Sequence, residues 1–283
     1  IKDRIYIVDS SGNKLTNQTD IDRVKLIIIL LKQFTYFSDN SPNPFQSITR
    51  FIDLITTVLS KSDQSLWITM LSENGNMKKL SRILGASDFI WEDFIRIQTE
   101  SLLPILNPRT TFEIEKLTIE SFHIELNKLL KNASTFEEKM IQINRFKNDW
   151  TTYIDLHHIL KQLNFREFSK CLSNLAEVII TKSCKIIEKR LRHTYGLPKT
   201  FAGFNAIYTI VGLGKFGGTA LGYASDIELM LIYSDDGSTS GDKSISNTNY
   251  FSQFVEMLSK FIQTKRDGIF SIDLRLRPYG VNG

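Results

Sequence analysis

Apolar residues recur at three- and four-residue spacing from about residue 21 to about residue 195, and the periodicity stops at Tyr195-Gly196-Leu197-Pro198. A chain built this way must fold largely as amphipathic helices, because only a period near 3.6 gathers such residues on one buried face. Phe51, Leu54, Ile55, Val58 and Leu59 form one stripe; Phe168, Cys171, Leu172, Leu175, Val178 and Ile179 form another. Ser41-Pro42-Asn43-Pro44, Asn74-Gly75-Asn76 and Asn107-Pro108 punctuate the run. Ser87 and Asp88 are placed to cap the stretch that follows them. Gly196 is expected to end the last long helix in a left-handed C-cap, with Pro198 just beyond it. The polar residues 1 to 20 read as an arm or short hairpin.

The texture changes after Pro198. Ala206 to Val211 and Ile227 to Tyr233 are short apolar runs rich in Ile, Val, Leu and Tyr, and both read as buried strands. Between them lies the glycine-rich turn Gly212-Leu213-Gly214-Lys215-Phe216-Gly217-Gly218. Ser234 to Asn247 is rich in Ser, Asp and Gly and reads as a loop. Tyr250, Phe251, Phe254, Leu258, Phe261 and Ile262 then mark an amphipathic helix, and Ile269 to Leu276 a third strand ended by Pro278. The division is therefore a helical part, residues 1–198, followed by a small α/β part, residues 199–283, and the fold class is α+β.

Carboxylates interrupt two of these strands. In Ser225-Asp226-Ile227-Glu228-Leu229 the acids stand at i and i+2, and a strand points such residues to one side. Two like charges held together repel, and a divalent cation between them relieves the repulsion. Hard ions such as Mg²⁺ prefer carboxylate oxygens. Asp273 interrupts the third strand in the same way. Three carboxylates from adjacent strands suit two Mg²⁺ ions clamping the oxygens of a phosphoryl transfer. Gly217 and Gly218 would let backbone N–H groups approach phosphate oxygens, and Lys215, Arg275 and Arg277 would neutralise phosphate charge. The turn lacks the third glycine of a dinucleotide fingerprint and the Gly-Lys-Ser/Thr ending of a P-loop.

Composition narrows the class. Apolar residues are 42% of the chain, enough for a substantial core, yet no window approaches the length of a membrane span. The net charge of +4 is mild, and no Lys/Arg cluster interleaved with aromatics points to nucleic acid. Cys171 and Cys184 read as packed thiols in a reducing cytoplasm rather than a disulfide or zinc site. The first residue is Ile, so the expectation is a segment of a longer protein. His157-His158, Glu92 and Asp93 are read as structural or solvated, Trp67, Trp91 and Trp150 as core, with Trp91 also a candidate at a domain junction, and Asp235-Asp236 as turn chemistry.

The strings GLGKFGGTALGYASDIELMLIY and SIDLRLRPYGVNG closely resemble the bacterial glutamine synthetase adenylyltransferase/adenylyl-removing enzymes, members of the polymerase-β-like nucleotidyltransferase superfamily. The likeness is most specific over about residues 206 to 283; upstream, ILGASDFIWEDF and NDWTTYIDLHHILKQ are similar more loosely. It covers the glycine-lysine-x-glycine-glycine turn at Gly214 to Gly218, the serine-aspartate-x-aspartate strand at Ser225 to Glu228, and the aspartate-x-arginine-leucine-arginine-proline strand at Asp273 to Pro278. Glu228 and Ala220 depart from it, where many members carry aspartate and glutamate.

The resemblance implies an all-helical domain, residues 1–198 with an arm at 1–20, before a polymerase-β-like nucleotidyltransferase domain at 199–283 that is truncated at its C-terminal end. It implies Asp226, Glu228 and Asp273 as catalytic metal ligands for two Mg²⁺. Gly214, Lys215, Gly217, Gly218, Ser225, Arg275 and Arg277 become the nucleotide-binding set, with ATP, or ADP and phosphate, as small substrates. Expected partners are glutamine synthetase and a nitrogen-signalling regulatory protein, with neither nucleic acid nor membrane, in the cytoplasm. The stretch SISNTNYF is more similar to the half of the family that removes AMP, whereas GYASD is closer to the spelling of the adding half. The removing direction is favoured. The alternatives are a nucleotidyltransferase with another protein or small-molecule acceptor, and a nucleotide-sensing module without turnover.

Overall fold

The computed structural model describes residues 8, 11–60, 64–95, 99–106, 113–223, 225–264 and 270–274. The chain forms two compact units, residues 1–111 and 112–283. Val8 and Lys14 form an isolated antiparallel bridge in the polar N-terminal segment.

The first unit is helical. Its main helices are α1 (Gln18–Thr35), α2 (Pro44–Val58), α3 (Gln64–Leu71) and α4 (Asn74–Leu84), followed by the short α5 (Asp88–Ile90) and α6 (Leu103–Leu106). Two of the three breaks seen in the sequence fall at helix starts, and Asn107-Pro108 lies outside the described residues. Asn43 caps α2 by accepting from the Gln46 amide with Pro44 at the first turn, and Asn74-Gly75-Asn76 forms the first turn of α4. Phe34 stacks on Phe51, with ring centroids 3.8 Å apart, at the core of this unit. Arg50 is buried but satisfied: it donates to the Leu84 carbonyl at 2.7 Å and pairs with Asp88. Asp88 therefore serves Arg50, and the Ser87 hydroxyl makes no capping bond. Trp67 and Trp91 are buried here, and a π-helical turn runs over Trp91–Ile95.

In the second unit, α7 (Ile119–Leu130), α8 (Phe136–Ile159) and α9 (Phe165–Tyr195) share one apolar core with the strands. Capping boxes start α8 (Thr135 with Glu138) and α9 (Asn164 with Glu167), satisfying amides that have no partner within the helix. Helix α9 ends at Tyr195 as expected, but Gly196 has φ +80° and ψ −168°, a glycine conformation outside the left-handed helical region. The cause is a close approach: a Cβ there would lie 2.3 Å from the Gly241 amide nitrogen.

The sheet contains β2 (Tyr208–Gly212), β3 (Ile227–Tyr233) and β5 (Ile272–Asp273), in the order β2-β3-β5. β2 and β3 are antiparallel; β3 and β5 are parallel. A four-residue helix, α10 (Gly214–Gly217), follows β2, and α11 (Asn247–Phe261) covers one sheet face, with Phe254 against Tyr208 at 5.0 Å and Phe251 stacked on Tyr233 at 4.6 Å. The Ser/Gly-rich loop carries a strand the sequence does not announce: β4 (Gly237–Thr239) pairs with β1 (Pro198–Thr200). Asn247 holds that pair in place by donating to the Lys199 and Asp235 carbonyls. Helix α8 caps the end of α11, since Asn144 donates to the Phe261 carbonyl at 2.8 Å and accepts from the Gln263 amide at 2.8 Å.

Candidate active site

The carboxylates sit where strand alternation puts them. Ile227 and Leu229 are almost wholly buried, so Glu228 between them points to the opposite, half-open face. The parallel register sets Ile227 beside Ile272 and Glu228 beside Asp273. Register partners on parallel strands share a face and stand about 4.8 Å apart. Asp226 is half-buried at the entry to β3. Among the described residues, no three His, Cys, Asp or Glu side chains gather closely enough to hold one ion together. The donor set, all carboxylate oxygen, nonetheless fits a hard divalent cation.

The glycine turn lies directly against Glu228. Leu213 donates its amide to the Glu228 carbonyl at 2.9 Å. Gly214 has φ +51°, and a Cβ there would fall 2.3 Å from a Glu228 carboxylate oxygen. The turn then closes as a Schellman motif, with the Ala220 amide donating to the Lys215 carbonyl at 2.7 Å and Thr219 to that of Phe216 at 3.0 Å. Thr219 takes the left-handed position usually given to glycine (φ +54°). The glycines differ in purpose. A Cβ on Gly217 would meet the Gly212 carbonyl oxygen at 2.4 Å, whereas one on Gly218 would meet nothing nearer than 3.4 Å. The fold requires glycine at 217 and leaves 218 open. Gly214, Lys215, Gly217 and Gly218 are exposed, and Arg275 and Arg277 lie outside the described residues.

Ser225 is buried, and its hydroxyl accepts from the Gly222 amide at 3.0 Å, holding the loop that leads to Asp226. The Ser225 carbonyl accepts from Phe270, a bulky residue at φ +56° just before the strand of Asp273. Such a conformation persists only where the surroundings enforce it, and here it joins the two acid-bearing segments.

His158, which the sequence presents as bland, contributes to the same loop. His158 shares a 2.7 Å hydrogen bond with the Tyr223 hydroxyl and stacks on Phe168, against which the Tyr223 ring lies tilted at 4.6 Å. Burial holds the His158 imidazole below its ordinary range, so the ring is neutral at neutral pH. No spacing signal links residues 65 apart in the chain. Asp235 and Asp236 do serve the turn: the Asp235 carboxylate accepts from the Asp236 amide, and that of Asp236 accepts from Tyr233 and Thr248. Burial pushes the Cys171 thiol to about 11 and that of Cys184 to about 12, which keeps both protonated and inert.

Asp155, one turn before His158, is fully buried, and its Oδ1 finds no partner among the described residues. Burial raises its carboxyl well above the usual range. The folded chain therefore binds this proton more tightly than the unfolded chain, whose carboxyl titrates at about 3.9. Its contribution to stability is present below that pH and is lost as pH rises toward the folded value. Asp155→Asn is expected to flatten the fall in stability across that window, read as urea midpoints in a pH series. Superimposable pH profiles for the two proteins would show that Asp155 ionises freely.

The model of the glutamate-ammonia ligase adenylyltransferase family matches residues 77–283. Among curated proteins, the bifunctional glutamine synthetase adenylyltransferase/adenylyl-removing enzyme of Aromatoleum aromaticum is 29% identical over 164 residues, covering 56% of this chain and 17% of its own. That of Shewanella oneidensis is 28% identical over 209 residues, covering 73% and 21%, and that of Alteromonas mediterranea 25% identical over 294, covering 100% and 28%. The chain thus spans at most 28% of the length of these three relatives. With most of its length matched, including the glycine turn and all three acids, the chain belongs to the glutamate-ammonia ligase adenylyltransferase family.

Proposed function

We propose that this chain is the catalytic portion of a nucleotidyltransferase that adds AMP to, or removes it from, a tyrosine of glutamine synthetase. The observation that carries the reading is the pairing of Glu228 with Asp273 beside a glycine turn whose Gly218 is left open by the fold. The names of the relatives support glutamine synthetase as the protein partner. In this reading residues 199–283 form the catalytic domain, and the helices of 1–198 hold the protein substrate or a nitrogen-signalling regulator. No described helix is long and apolar enough to cross a membrane, and the proposed location is the cytoplasm.

Asp226, Glu228 and Asp273 would hold two Mg²⁺, which when bound supply Lewis-acid stabilisation of the phosphoryl charge. The chain's own groups do the rest. The Gly217 and Gly218 amides are spent on the Leu213 and Gly214 carbonyls at 2.8 and 3.1 Å, so the turn offers the phosphates the open space beside Gly218 instead of these donors. Lys215 neutralises their charge, and Arg275 and Arg277 join it on the strength of the family match. Asp273 orients the attacking oxygen. In the adding direction the tyrosine oxygen attacks the α-phosphate of ATP, loses its proton, and pyrophosphate leaves. In the removing direction a phosphate oxygen attacks the AMP phosphorus, the bond to the tyrosine oxygen breaks, the hydroxyl regains its proton, and ADP leaves.

The removing direction is the proposed preference. The test supplies adenylylated glutamine synthetase, Mg²⁺ and phosphate, and measures ADP. Phosphate-dependent ADP release is the expected result. Labelling of unmodified synthetase from ATP, with pyrophosphate release and no ADP, would reverse the direction; no product in either assay would overturn the acceptor.

A further inference from the structure

A second cleft, of about 370 Å³, opens between α7, α8 and α9 and shares no residue with the acids or the glycine turn. Its floor is apolar, formed by Leu130, Phe136 and Ile186. Its walls are cationic: Lys139 from α8, and Lys182, Lys185, Lys189, Arg190 and His193 from α9, with no acid among the described residues that line it. The α9 residues repeat at three- and four-residue spacing, which gathers them along one side of the helix. Like charges at such spacing disfavour a helix by about 0.2–0.5 kcal/mol per pair, so helix stability does not account for the arrangement.

Compensation inside the protein is partial. Arg190 is paired with Glu137 at 3.2 Å and lies 4.2 Å over the Phe136 ring, which fixes it as a wall of the cleft. Glu188, on the same helix, is paired with Arg192 at 2.6 Å instead of with the cleft lysines. The remaining lysines act on one another: burial and then the neighbouring Lys185 lower the Lys182 ammonium, and burial, Lys182 and Lys185 lower the nearby His123 imidazole against a smaller opposing pull from Glu177. The cleft therefore keeps a net positive field, only partly offset by Glu137 and Glu177, over an apolar floor.

We infer that this cleft docks a protein segment in which glutamate or aspartate alternates with large apolar side chains. Carboxylates of such a segment would meet the lysines, and its apolar side chains would cover Leu130, Phe136 and Ile186. A free phosphate or a nucleic-acid backbone would meet the lysines but leave the apolar floor in water. The inference does not depend on the nucleotidyl-transfer reading.

The test uses the full chain and a fluorescent synthetic peptide of alternating glutamate and leucine, titrated by anisotropy. Controls are the same peptide with glutamine for glutamate, an all-glutamate peptide, and a single-stranded oligonucleotide of equal charge. The glutamate–leucine peptide is expected to bind tighter than every control. Lys182→Glu with Lys189→Glu should weaken it about 100-fold, taking about 1.4 kcal/mol for each lost charge contact. Ile186→Ser should abolish the preference over the all-glutamate peptide. Circular dichroism checks that the variants fold, and Lys182→Gln with Lys189→Gln, which introduces no new charge, should weaken binding in the same direction. Unchanged affinity in the folded charge variants overturns the inference, as does undetectable binding to the wild type. Tighter binding of the oligonucleotide, insensitive to Ile186→Ser, overturns it in favour of a nucleic-acid partner.

Discussion

Asp226→Asn is expected to abolish nucleotidyl transfer while leaving the fold intact. Asp226 stands half-buried at the entry to β3, one residue before Ile227, whose amide donates to the Ser271 carbonyl at 2.7 Å. That bond and the buried flank of Ile227 and Leu229 hold the strand, and neither uses the Asp226 carboxylate. Asn has the same shape but replaces a charged oxygen ligand with a weaker amide oxygen, so affinity for a hard cation falls. If the loss of transition-state charge stabilisation is about 4 kcal/mol, the rate falls about 1,000-fold. Product formation and a denaturation midpoint, measured on one preparation, separate loss of chemistry from loss of fold. Wild-type turnover by the folded variant would sink the role given to Asp226.

Gly217 and Gly218 should separate fold from ligand. Gly217→Ala places a methyl 2.4 Å from the Gly212 carbonyl oxygen, a backbone atom at the end of β2 that cannot yield without moving the strand. The expected cost is about 1–3 kcal/mol, as for an overpacked site. Gly218→Ala meets two carbonyl oxygens, at 3.4 and 3.9 Å, in ordinary van der Waals contact, and should leave the denaturation midpoint near the wild-type value. Gly218→Val, projecting further from this exposed turn, should weaken ATP by tenfold or more, about 1.4 kcal/mol, by filling the space phosphates would enter. The measurements are ATP titration and chemical denaturation on all three variants. Unchanged ATP affinity in Gly218→Val would confine that glycine to turn geometry. A stable Gly217→Ala would mean that β2 and α10 separate more easily than their contacts suggest.

What the sequence determined by itself was local. The bounds of β3 and the end of α9 at Tyr195 were legible because alternation, caps and breakers act over a few residues. Glu228 and Asp273 stood out for the same reason, as carboxylates inside apolar runs, although the run read as a strand from Ile269 to Leu276 forms one only over Ile272–Asp273 among the described residues. Tertiary structure alone decided what depends on distant segments. The strand in the Ser/Gly-rich loop exists because Pro198–Thr200 pairs with it and Asn247 ties the two together, and Ser/Gly composition carries no trace of either. The pairing of Glu228 with Asp273 rests on a parallel register, set by nonlocal backbone bonds such as that from Ile227 to Ser271. The role of His158 appears only because α8 meets the Tyr223 loop, and Gly217 and Gly218, alike in the sequence, differ because only one faces the Gly212 carbonyl. The basic cleft likewise combines α7, α8 and α9, so its charge emerges only when three helices are packed side by side. Secondary structure follows from spacing along the chain, whereas the site follows from which residues nonlocal packing brings face to face.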